Sequence, residues 1–123
     1  MGSNPIVQYV VVRGDLLSQL KWPVGAVLAQ ACHACTAVTH LFYEDEHMKE
    51  YLADLDSMRK IVLEAPSEDS LKNLAASLTE ANVPHKLWIE QPENFPTCLA
   101  TKPSPKLNVQ EYFKKFKLFK GTG

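Results

Sequence analysis

This chain lacks a cysteine framework, a second pair of metal ligands and a membrane-length apolar run. Its 123 residues hold three cysteines, an odd number, and two of them, Cys32 and Cys35, stand only three apart. That is no disulfide scaffold, so a reducing compartment, the cytoplasm, is the expectation. No stretch reaches the ~18 consecutive apolar residues of a bilayer span. The opening MGSNPIVQYVVV has no basic segment ahead of an apolar one, so it does not read as a secretory signal. Gly2 does not open a myristoylation site, because Ile6 stands where serine or threonine is wanted. Repeats and low-complexity linkers are missing too. The length suits one domain, residues 1–123, with enough apolar residues for a core.

What is present is unevenly charged. The net charge is −1, yet residues 102–123 carry Lys102, Lys106, Lys114, Lys115, Lys117 and Lys120 against Glu111 alone, a net of +5. The first 101 residues carry seven basic and thirteen acidic side chains, a net of −6. A basic segment on an acidic body attracts phosphate, and it also describes an ordinary solvated face; composition leaves both open.

IVQYVVV (6–12) is β-branched and almost continuously apolar, the pattern of a central strand buried on both faces. RGDLLSQLKWP then turns the chain. The Arg13-Gly14-Asp15 triplet is no adhesion motif, since a buried strand runs straight into it. Pro23 suits the first turn of a helix, because its missing N–H is not needed there; the helix is expected from Val24 to about Tyr43. EDEHMKEYLADL reads as its continuation or a short separate helix. MRKIVLEA is a second strand. Ser67 suits the N-cap of a helix with Glu68 and Asp69 in its first turn, where the dipole favours them. Leu71, Leu74, Ala75 and Leu78 form its stripe, and Asn82 and Pro84 end it. HKLWIE and TCLAT are further strands, QPENFP a proline-bounded loop, and NVQEYFKKFKLF a final mixed element. Strands alternating with helices predict an α/β sandwich with a mixed sheet.

The helix of residues 24–43 holds the densest chemistry. At about 100° per residue, Val24, Val27, Leu28, Ala31, Cys35, Val38 and Phe42 share one side, the expected core stripe. Ala26, Gln30, His33, Ala37 and His40 share nearly the opposite side. Cys32-His33-Ala34-Cys35 matches C-x-x-C, but a redox pair wants a helix N-terminus to lower a thiol pKa, and these thiols lie well inside the helix. Zinc wants four ligands, usually two close pairs, and no second pair exists. Buried apolar thiols are the reading for all three cysteines. His33 is either a structural histidine or part of a ligand site, because it stands beside Gln30 on the first long helix after a buried strand, where α/β sheets gather ligands.

VVVRGDL followed by VGAVLAQACHA resembles the opening of the type II peptidyl-tRNA hydrolases: a strand ending V-V-R-x-D-L, a turn, then G-K-x-A-A-Q-x-x-H-A. The likeness runs on through KIVLEAPSEDSLKNLAASLTEANVPHKLWIE and TCLATKP, over residues 7–120, and is narrower still to a divergent vertebrate branch. It implies a three-layer α/β/α fold with a four-stranded mixed sheet, one strand antiparallel to the rest. It also implies hydrolysis of the ester between a peptide and the tRNA 3′ end, without metal or cofactor. Gln30 and His33 match the family's glutamine and histidine, and Thr97 the threonine opening the last strand. The family's lysine falls on Ala26. Its D-A-G-x-T loop falls on EQPEN, with Glu90, or Gln91 after a one-residue slip, at the aspartate and Asn94 at the threonine.

Ester hydrolysis needs a base for water and a donor for the developing oxyanion. By resemblance, the candidates for catalysis are His33, Glu90, Asn94 and Thr97. Gln30, Lys21, Lys114, Lys115 and Lys117 are the candidates for binding tRNA or peptidyl-tRNA. Ala26 supplies no cation, so the activity is expected to be weak or lost. Two alternatives stand beside the enzyme: a non-catalytic RNA binder, and an adaptor for a protein partner that would expose an apolar patch around Trp22, Phe95 and Tyr112.

Overall fold

The computed structural model describes residues 4–121; Gly2 and the last two residues of the basic segment lie outside them. Strand β1 (Ile6–Arg13) leads through a one-turn helix, α1 (Asp15–Ser18), into the long α2 (Val24–Leu41) and then α3 (Glu46–Ala53). Next come β2 (Lys60–Ala65), α4 (Glu68–Glu80), and the hairpin of β3 (His85–Glu90) and β4 (Phe95–Thr101). A two-residue β5 (Ser104–Pro105), a short α5 (Lys106–Val109), a 3-10 turn (Gln110–Phe113) and a two-residue β6 (Lys117–Leu118) close the described chain.

The sheet is mixed and ordered β3-β4-β1-β2-β6, with β5 joining β1 off that path. It has six strands, not the expected four. The addition is two pieces of two residues each, which catch the edge of longer strands as the C-terminal segment returns. β1 runs parallel to β2 and antiparallel to β4, which is antiparallel to β3. β1 is therefore central, as its unbroken apolar run demands.

Alternation along β1 divides the core in two. Val7, Tyr9 and Val11 face α4, where they meet Leu71, Leu74, Ala75 and Leu78. Val10 and Val12 face α2, where they meet Val27, Ala34, Cys98 and Ala100. Helix α4 follows its sequence pattern closely: the Ser67 hydroxyl accepts from the Ser70 N–H, and the four apolar residues are buried. Such a cap typically contributes about 1 kcal/mol. Asn82 ends this region in left-handed backbone, φ 59°.

Helix α2 departs from its wheel. Its buried residues are Val27, Gln30, Ala34 and Val38, while Val24 and Leu28 are 61% and 60% exposed. The inward face is turned by about one position, because Gln30 goes inside with its amide satisfied. By length and composition α2 also passes for a membrane span, against expectation; here it packs against the sheet beside β1 and β4. Cys32 is exposed and Cys35 half-buried, so only Cys98 fits the expectation of a buried thiol; all three are free. The final mixed element is not one helix. Phe113 and Phe116 are buried where it breaks, and the lysines between them point outward.

Asp45 ties the α2–α3 corner to the sheet. It accepts from the His47 and Met48 N–H groups at the start of α3, and from Lys102 Nζ at 2.9 Å. Burial disfavours its charge, but Lys102 and the two N–H groups outweigh that and hold its pKa below the usual 3.8. Asp45→Ala is expected to cost about 2 kcal/mol in urea unfolding at pH 7. The unfolded carboxyl is the weaker acid and takes up protons first as pH falls. The contribution is thus complete above its ordinary pKa and fades as pH drops through and below that value. A gap between wild type and variant that stays constant down to about pH 3 would contradict this.

Candidate active site

The candidate residues meet where β1 and β2 end, β4 begins and α2 starts. Arg13 closes β1 and is 4% exposed. Its guanidinium donates to both Asp15 carboxylate oxygens at 2.9 Å and to the Pro96 carbonyl at 3.0 Å. It lies 5.0 Å from the Phe95 ring centre, and the same Nη1 that donates to Pro96 is 3.7 Å from Glu68. The R-x-D spacing is thus a clamp holding the first turn of α1 and the start of β4 to β1. A Cβ at Gly14 between them would meet the Glu64 side chain, which would have to swing aside.

Beside the clamp, Thr97 and Gln30 form a closed pair. Thr97 Oγ1 donates to Gln30 Oε1 at 2.8 Å, and Gln30 Nε2 donates to the Ala26 carbonyl at 3.0 Å. Both side chains are buried, Gln30 at 2% exposure. In this arrangement they brace α2 against β4 rather than face solvent.

The accessible chemistry lies one step outward. The His33 ring is exposed and stacks on Trp88 at 4.8 Å between centres. The Trp88 indole N–H donates to Glu90 Oε1 at 2.9 Å. Trp88 and Glu90 lie two apart on β3, hence on one face. Trp88 thus joins the two candidate proton-transfer groups. Sequence reasoning missed it, although the period of two pointed there once Glu90 was chosen.

Asn94 sits in left-handed backbone, φ 59°, and its N–H donates to the Glu90 carbonyl at 2.7 Å. The Gln91–Pro92 peptide is cis, and Gln91 donates to the Asn94 side-chain oxygen. Of the two candidates for the acidic position, Glu90 is tied to the His33–Trp88 stack, while Gln91 is exposed and engaged with Asn94. Lys21 is exposed at φ 59° in the turn before α2. Lys115 and Lys117 line a separate concavity near α4, without Lys114. The expected apolar patch is not one surface: Trp22 stacks on Phe95 at 5.9 Å on the α2 side, whereas Tyr112 packs into the core on the α4 side.

Among the described residues, no lysine or arginine hydrogen-bonds to Gln30, Thr97, His33, Trp88 or Glu90, and Arg13 beside them is bonded to Asp15 and Pro96. No three His, Cys, Asp or Glu side chains gather in metal-binding geometry among the described residues. The arrangement offers a carboxylate, an imidazole and amide donors, which suits proton transfer at a polar bond.

Thr97→Val is expected to cost about 1–3 kcal/mol in urea unfolding, because it strands the buried Gln30 oxygen. Thr97→Val with Gln30→Met removes both partners and should cost less than the two single changes together. Strict additivity would contradict the pairing.

The model of the family described as peptidyl-tRNA hydrolase PTH2 matches residues 6–119. A human protein named "Putative peptidyl-tRNA hydrolase PTRHD1" is 52% identical over 122 residues, covering 97% of this chain and 87% of its own. A mouse protein of the same name is 53% identical over 116 residues, covering 94% and 83%.

Proposed function

The chain belongs to the peptidyl-tRNA hydrolase PTH2 family, and from that premise we propose that it is a slow hydrolase of the ester joining a peptide to the tRNA 3′ end. The observation that carries this is the His33–Trp88–Glu90 chain beside an α2 that bears Ala26 where the family lysine falls. Water attacks the ester carbonyl and gives its proton to Glu90. The bond from carbon to the 3′ oxygen then breaks, and that oxygen leaves with a proton from His33 or through water. Trp88 orients both groups and offers a face beside His33 for an unpaired base, since RNA ends are held largely by stacking on such rings. Asn94 has a free amide N–H₂ for the oxyanion. Thr97 and Gln30 act by fixing α2 and β4, not by touching substrate.

The rate is low because one preorganised stabiliser of developing charge is gone, a loss worth typically about 10²–10³. Binding survives better, since the lysines of the tail do not depend on Ala26. RNA binding without turnover is the second reading, favoured by the same missing cation.

Ala26→Lys is expected to raise single-turnover cleavage of an N-blocked aminoacyl-tRNA by at least about tenfold at pH 7. His33→Ala and Glu90→Gln should each abolish that gain. Unchanged cleavage in Ala26→Lys, with the fold intact by circular dichroism, would overturn the assignment of the deficit to this position.

A further inference from the structure

A concavity of about 620 Å³ lies between the end of β2, the start of α4 and the returning C-terminal segment. Lys115, Lys117, Lys120, Ser70 and Glu64 contribute to its lining. None of the ion pairs among the described residues uses these lysines. Glu64 is the backbone partner of Lys117 across β2 and β6, yet its carboxylate leans the other way, under Gly14 on the β1 side. Glu68, at the start of α4, is engaged with Lys72 and Arg13. Three lysines thus line the hollow against one carboxylate, Glu64, which lies close to Gly14, and a serine hydroxyl adds a neutral donor. That is a site for an oxyanion spread over several oxygens, such as a phosphodiester.

Its place in the sheet says which phosphodiester. The strand order puts Glu90 of β3, Thr97 of β4, Arg13 of β1, Glu64 of β2 and Lys117 of β6 in succession along one edge. Four strand spacings of ~4.8 Å separate the first from the last, roughly 19 Å. At ~3.4 Å per stacked nucleotide that is about five or six nucleotides. We propose that this lysine-lined hollow is a second RNA subsite, which takes backbone phosphates about five or six nucleotides from a 3′ end seated at His33 and Glu90. The inference rests on the proposed hydrolase reading for the seat of the 3′ end. It also sets a polarity: the RNA runs 3′ to 5′ along the strand ends from β3 toward β6.

The test is a length series of single-stranded RNA 3′ ends, three and ten nucleotides long, each carrying an N-blocked aminoacyl ester. Binding is read by fluorescence anisotropy and cleavage by single turnover. The combined variant Lys115→Gln, Lys117→Gln, Lys120→Gln is compared with wild type and with Lys49→Gln, Lys106→Gln, whose lysines lie away from that edge. Wild type is expected to bind the ten-nucleotide RNA at least about tenfold more tightly than the trinucleotide. The triple variant should lose that advantage, with the slope of log K against log salt reduced by about 2. The double variant should match wild type throughout. Length-independent binding in wild type would overturn the subsite. So would equal losses in the triple and double variants, which would mean diffuse attraction. Absence of cleavage on every RNA would instead count against the hydrolase reading, while the binding series would still decide the subsite.

Discussion

The buried guanidinium of Arg13 is the constraint on which the functional edge depends. A charge there is tolerated only because five directions are filled: two carboxylate oxygens of Asp15, the Pro96 carbonyl, the Phe95 face and, more distantly, Glu68. Removing one partner of such a buried group commonly costs about 3–5 kcal/mol, far more than an exposed pair is worth. The clamp therefore fixes three things at once. It sets the entry into α1 and α2, the start of β4 next to Thr97, and the position of β1 relative to α4. Gly14 lies beside it, where a side chain would displace the Glu64 carboxylate.

From that edge outward, the structure separates holding from reacting. The Thr97–Gln30 pair is buried and complete, so the frame of the site is rigid without any ligand. The groups able to move protons, His33 and Glu90, are held through the Trp88 ring rather than by each other. Ala26 stands where the family pattern would put a lysine. Lys115, Lys117 and Lys120 lie instead beyond β2. On the proposed reading, affinity and rate fall to different residues.

Much of this was legible in the sequence, and the rest was hidden for identifiable reasons. β1 and α4 declare themselves, because their apolar patterns and the Ser67 cap agree with their burial. The inward face of α2 was misjudged because wheels sort by polarity. Gln30 is polar yet inside, its amide used by the Ala26 carbonyl and by a threonine 67 positions away. Cys32, expected as a buried thiol, stands exposed. The C-terminal segment alternates aromatics and lysines without a helical or strand period. Its path as turn, 3-10 turn and edge strand comes from burying Phe113 and Phe116 against the α4 side. Trp88 escaped notice because it matters through its two neighbours, and only tertiary structure supplies His33. The Ala26 substitution needed no structure to be seen.

The separation of holding from reacting is tested most directly by measuring two quantities on one peptidyl-tRNA, beside a family member that carries the lysine. These are the equilibrium Kd under single-turnover conditions and the rate of ester cleavage once bound. The expected result is a Kd within about tenfold of the lysine-bearing enzyme and a bound-state rate lower by about 10²-fold or more. Equal bound-state rates, or a deficit lying wholly in Kd, would contradict it.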